Sequence, residues 1–166
     1  MLINEFEGYA CICGDWEMKI SSEHYFKASQ DRIKEARKLH NSGNYVGSIY
    51  LSGVSVECML RAYVQGNMDD FYSRHDLIRL LRTSGISEII TISQRRNIDA
   101  ALGNIWSRWK NNYRYASEEL IMAEFKKLKL DRGIKGDWLK FNSMTVLNSA
   151  LTVISIGVKK WKTLKK

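Results

Sequence analysis

The stretch that decides the fold is GNYVGSIYLSGVSVECMLRA, residues Gly43 to Ala62. Val46, Ile49, Gly53, Val56, Leu60 and Tyr63 recur in steps of three and four, which makes one apolar face of a helix. Tyr50, Leu51, Val54 and Cys58 make the opposite side apolar as well. A helix apolar nearly all round belongs in the middle of a bundle. Gly43 stops the preceding helix and Asn44 caps the next one, so a helix is predicted from Tyr45 to roughly Gln65. Its only charges, Glu57 and Arg61, stand four apart and share a face.

Punctuation outward from this segment is helical throughout. Upstream, Ser22 is placed to cap a helix carrying Phe26, Ile33, Ala36 and Leu39, stopped by Ser42-Gly43. Downstream, Ser73 and Asp76 have the spacing of a capping box before Leu77, Ile78, Leu80 and Leu81, with a stop at Ser84-Gly85. Ile98, Leu102, Ile105 and Trp109 form the next stripe, ended by Asn111-Asn112. Ser117 opens a helix with Glu118 and Glu119 in its first turn and Ile121, Phe125 and Leu128 on its apolar side. Asp137 caps a final helix on which Trp138, Phe141, Met144, Leu147, Leu151, Ile154, Val158 and Trp161 hold helical spacing. The chain has no proline, and no stretch alternates as a strand does. The fold class predicted is all-α, an up-and-down bundle of about five main helices. It forms a single domain over residues 1–166, with residues 1–21 poorly defined.

Composition bounds function. Twenty-six Lys and Arg against 18 Asp and Glu give a net charge of +8, which favours an acidic partner. Cys11, Cys13 and Cys58 do not form a disulfide framework; Cys11-x-Cys13 alone is a poor zinc signal, and Cys58 reads as core. The N-terminus lacks the form of a signal peptide, and the apolar run Val46 to Val56 is broken by Ser48, Ser52 and Ser55. The expectation is a cytoplasmic protein with no metal, no cofactor and no membrane partner.

Three segments resemble the HEPN family, whose name stands for higher eukaryotes and prokaryotes nucleotide-binding. The first is Gly43-Asn44-Tyr45 with Ile49 to Ala62. The second is His75-Asp76-Leu77 followed by Leu80-Leu81. The third is Arg114-Tyr115 after a tryptophan-bearing helix. The resemblance spans roughly residues 22 to 115 and implies a short helical bundle that dimerises. It implies a nucleotide- or RNA-binding module of a bacterial-type stress, defence or toxin–antitoxin system, with a nucleotidyltransferase or other acidic protein among the possible partners. The small residues Gly47, Ser48, Gly53 and Ser55 would allow close helix approach in a homodimer.

Ribonuclease members of the family carry an Arg, four to six intervening residues and then a His, late in the domain. Here the histidines are His24, His40 and His75. Two residues separate Arg37 from His40 and seven separate Arg32 from it, while His75 directly follows Arg74. The usual motif is missing, which points away from an enzyme. An alternative is a metal-independent ribonuclease with a non-standard set drawn from His75, Arg114 and His40. Another is an antitoxin or immunity module that binds protein.

Candidate ligand-binding residues are Glu57, Arg61, His75, Asp76, Arg114 and Tyr115. A buried Glu57 needs a cation, and Arg61 or Arg114 would supply it. That pairing either ties the helix to the Arg114-Tyr115 turn or, with His75, lines a polar pocket where Arg114 forks onto a phosphate. His75 and Asp76 are read as a helix cap ahead of an acid–base pair. Lys126, Lys127, Lys129, Arg132, Lys135 and Lys140 are the candidate nucleic-acid-binding cluster. Lys159, Lys160, Lys162, Lys165 and Lys166 read as a solvated tail, and Trp106, Trp109, Trp138 and Trp161 as core packing.

Overall fold

The computed structural model describes residues 20–64 and 76–164. Seven α-helices follow one another: α1 (Ser22–Asn41), α2 (Tyr45–Ala62), α3 (Leu77–Ser84), α4 (Ile86–Ile89), α5 (Ile92–Trp106), α6 (Glu118–Lys127) and α7 (Trp138–Leu164). A 3-10 helix, Asn111–Tyr115, stands between α5 and α6, and no strand occurs among the described residues. Five of the helices reach ten residues, in keeping with the all-α bundle predicted.

Local chemistry sets the helix ends. The cap of α1 is Ser21, one residue ahead of the Ser22 expected, and its hydroxyl accepts from the His24 N–H. Gly43, at φ +83°, ends α1 while the Asn44 N–H donates to Leu39 O at 2.9 Å. Asn44 then caps α2, accepting from the Gly47 N–H at 2.9 Å. Asp76 itself caps α3, accepting from the Ile78 and Arg79 N–H groups, each at 3.0 Å. Ser73, expected to open that cap, lies outside the described residues. Thr91 and Gln94 form a reciprocal capping box for α5, and Ser117 and Asp137 open α6 and α7 as predicted.

α2 is the centre of the bundle. It packs on α1, α3, α7 and the 3-10 helix, and Ile49, Val56, Met59 and Leu60 on it are wholly buried. Small residues let its neighbours close in. A β-carbon at Gly53 would overlap the Trp109 indole, whose Nε1 donates to Tyr50 O at 3.0 Å. A β-carbon at Gly157 on α7 would meet the Met59 thioether. Ser48, Ser52 and Ser55 are fully buried. Gly53, Ser48 and Ser55 are therefore consumed by packing within one chain. That corrects the expectation that they open α2 to a second copy.

Long-range polar and aromatic ties fix α7. Tyr63 Oη donates to Gly157 O at 2.6 Å, and Trp161 stacks on Phe26 at 4.7 Å between ring centroids. α7 is long and apolar enough to cross a bilayer by length and composition alone, yet more than half of that stretch is buried against the bundle. Its buried face runs through Leu139, Asn142, Ser143, Val146, Leu147, Ala150, Val153, Ile154 and Gly157. Phe141 and Met144, expected on that face, point outward instead. Trp106 also corrects the reading: α5 ends there, three residues before Trp109, and the Trp106 ring is exposed while Trp109 is buried.

Candidate nucleic-acid interface

The end of the bundle where α5 stops and α7 starts is held by one hub. Arg108 Nε donates to Asn142 Oδ1 at 2.8 Å, and Asn142 Nδ2 donates to Leu130 O at 2.9 Å and to Trp138 O at 2.8 Å. One buried amide thus ties the α5 terminus, the α6–α7 loop and the first turn of α7 together. Arg108 Nη1 donates to Asn104 O and to Ser107 Oγ, at 3.2 and 2.7 Å. These partners are all neutral. Burial lowers the pKa of the guanidinium without removing its charge, and Nη2 has no hydrogen-bond partner among the described residues. A fixed guanidinium with a free edge is prepared for an anion.

Around this hub the chain is basic. Lys126, Lys127, Lys129, Arg132, Lys135 and Lys140 are all exposed. No ion pair engages any of the six among the described residues; in this part of the chain only Lys110 has one, with Glu124. Asp137 is occupied as the α7 cap. The α6–α7 loop begins with Lys129 at φ 61°, a left-handed position usually given to glycine, while the Leu130 N–H donates to Phe125 O at 2.9 Å.

The other candidate residues separate into pairs. Glu57 and Arg61 meet on α2: Arg61 Nε and Nη2 reach Glu57 Oε1 at 2.9 and 2.8 Å, with side chains 14% and 9% exposed for Arg61 and Glu57 respectively. Arg61 also lies 5.9 Å from the Tyr25 ring centroid. Arg114 does not join them. It is exposed and stacks on Tyr115, its guanidinium carbon 4.6 Å from the ring centroid. The 3-10 helix turns Tyr113, not Arg114, toward the core, so the expected Glu57–Arg114 tie is replaced by a pair within α2. Asp76 is the α3 cap, and His75 lies outside the described residues, as do Cys11 and Cys13.

Two groups with nucleophile or base chemistry are closed off. His40 is buried, its Nδ1 2.9 Å from Ser143 Oγ and its ring against Tyr45 at 5.3 Å. Burial first, and then the Lys140 charge, lower its pKa below the usual imidazole value. The Cys58 thiol is pushed up to about 11 by burial and by Glu57, so it stays protonated and unreactive. Tyr113 is buried too, and burial together with the Glu124 carboxylate raises its phenol well above the ordinary range.

Arg108 and Asn142 escaped the sequence reading. The available signal was positional, since Arg108 stands just ahead of the Arg114-Tyr115 element. Neither a curated protein nor a solved structure matches the chain. A family model described as the HEPN domain matches residues 22–128, more than half of the sequence. The chain belongs to the HEPN domain family.

Proposed function

We propose that this protein is a cytoplasmic HEPN module of a bacterial-type stress, defence or toxin–antitoxin system, which binds RNA or nucleotide phosphate at its basic end without cleaving RNA. The observation that carries the reading is the set of six exposed cations from Lys126 to Lys140 with no ion pair among the described residues, beside a guanidinium whose hydrogen-bond partners there are all neutral. Family membership supports a nucleotide- or RNA-related role in general. Residue spacing supports the absence of chemistry. With four, five or six residues intervening after Arg108, the ribonuclease pattern of the resemblance would put histidine at position 113, 114 or 115, and the chain has Tyr113, Arg114 and Tyr115 there. Tyr113 is buried and held protonated, and Arg114 does not act as a general base at neutral pH. His40 is enclosed by Ser143 and Tyr45. Homodimerisation, and pairing with a nucleotidyltransferase or another acidic protein, complete the proposal; the basic surface suits an acidic partner.

The test is equilibrium binding of a labelled oligoribonucleotide at rising salt. Neutralising Lys126, Lys127, Lys129 and Arg132 together is expected to reduce the log–log salt slope by about 3, at roughly 0.7 per neutralised phosphate on a single strand. The same RNA is expected to stay intact on prolonged incubation. Unchanged affinity in the neutralised variant overturns the binding surface. Cleavage that persists after His24, His40 and His75 are all replaced overturns the positional reading.

A further inference from the structure

Among the described residues, three aromatic side chains are exposed: Trp106 at 54%, Tyr115 at 79% and Phe141 at 52%. The other described aromatics are buried or partly buried. All three exposed rings lie between residues 106 and 141, the part of the chain that also holds Arg108 and the unpaired lysines. Two of them lie close to the hub residues in sequence. Trp106 stands two residues before Arg108, and Phe141 immediately precedes Asn142, so the 2.8 Å Arg108–Asn142 bond brings both to one end of the bundle. Helical spacing alone puts such rings in a core, and the fold leaves them in water instead, which costs free energy that a ligand is able to return.

We infer that the basic end takes an unpaired nucleic-acid strand, with bases stacked on the open faces of Trp106 and Phe141 while Arg108 and the loop lysines hold the phosphates between them. The inference rests on the RNA-binding reading above and adds the strand state of the ligand. A duplex keeps its base faces inside the stack and offers the protein only phosphates and groove edges, so it would use the cations and leave the rings idle. A single strand offers both a polyanion and free π-faces, the two properties this surface pairs. A second copy of this chain is a poorer occupant, because it would bring the same unpaired cations to the contact. Tyr115, stacked against Arg114, extends the surface along the 3-10 helix.

The experiment compares three labelled probes by fluorescence anisotropy: an unpaired oligoribonucleotide, the duplex of the same sequence, and inorganic polyphosphate. Wild type is compared with the double variant Trp106→Ala/Phe141→Ala. Wild type is expected to prefer the unpaired strand, and the double variant to lose at least about tenfold affinity for it. Polyphosphate affinity and the salt slope stay as in wild type, since no charge is removed. Should the alanine variant lose helicity by circular dichroism, Trp106→Leu/Phe141→Leu keeps the apolar contact, removes the ring faces and carries the same expectation. Equal wild-type affinity for strand and duplex, or an unpaired-strand affinity unmoved in the variant, overturns the inference and leaves RNA binding standing. A wild type that binds none of the three probes overturns the RNA-binding reading itself. A wild-type dimer that the double variant dissociates, with RNA affinity unchanged, assigns the rings to self-association and overturns the inference as well.

Discussion

Two arginines, Arg61 and Arg108, are both drawn partly out of water, and they are treated in opposite ways. Arg61 lies on the central helix and meets the Glu57 carboxylate with two nitrogens, beneath the Tyr25 ring. Arg108 lies at the bundle end and meets an amide, a hydroxyl and a backbone carbonyl, with no carboxylate among the described residues. In the first case the charge is answered within the fold. In the second it is oriented but meets no carboxylate, beside lysines that form no ion pair among the described residues. The first guanidinium is neutralised by a carboxylate, and the second, partly buried, meets only neutral partners among the described residues. The same division appears at two helix ends of similar geometry. α1 closes on Gly43, for which φ +83° carries no penalty, whereas α6 closes on Lys129 at φ 61°, where a side chain is strained.

The Glu57–Arg61 pair carries the largest effect on stability. Arg61→Met removes the Arg61 cation from the buried Glu57 carboxylate and is expected to cost about 3 kcal/mol of folding free energy. Chemical denaturation reads this as a lower midpoint with an unchanged slope. A loss within experimental error would mean that the pair is idle, and the contrast with Arg108 would disappear.

Lys129→Gly separates stability from binding at the start of the α6–α7 loop. Removing the side chain from a left-handed position is expected to stabilise the fold by about 1 kcal/mol. It also removes one cation and weakens RNA binding. Thermal unfolding and RNA titration of the same sample should therefore move in opposite directions. A variant that is both less stable and weaker in binding would make Lys129 a structural residue.

The smallest effect concerns His40, which links α1 to α7 through Ser143 beside the basic end. Its pKa is lowered in the folded state by burial and by Lys140, so the unfolded chain binds the extra proton first. Stability contributed by the neutral ring is complete above the unfolded value of about 6.5 and is lost as pH falls below it toward the folded value. Urea midpoints measured across that window should drop in wild type and stay flatter in His40→Gln. Parallel profiles would remove His40 as the cause.

Much of the fold was legible in the sequence because helix ends are local chemistry. Asn44, Ser117 and Asp137 cap where their side chains reach backbone N–H groups three residues on, and the all-round apolar α2 is the central helix. The face of α7 was misread because its seam is built from Asn142, Ser143, Ala150 and Gly157, which look polar or small. Close helix approach requires residues of that size, and Asn142 is buried without penalty only because Arg108, Leu130 and Trp138 satisfy its amide. Phe141 and Met144 sit one or two residues from that seam and attract the assignment by hydrophobicity alone. The lysine cluster was visible as composition. Arg108 was not, since its distinguishing feature is the neutrality of partners that lie up to 34 residues away.

The most direct test of the account is Arg108→Met, with oligoribonucleotide affinity and thermal stability read on the same preparation. A guanidinium held for phosphate predicts an affinity loss of about tenfold, the size of one charge-assisted hydrogen bond, with a melting temperature lowered by less than in Arg61→Met, since the buried Asn142 Oδ1 loses the Arg108 donor but no charge is stranded. A melting temperature that falls as it does for Arg61→Met, with the affinity of the folded protein unchanged, would show that Arg108 serves the fold and contradict the account.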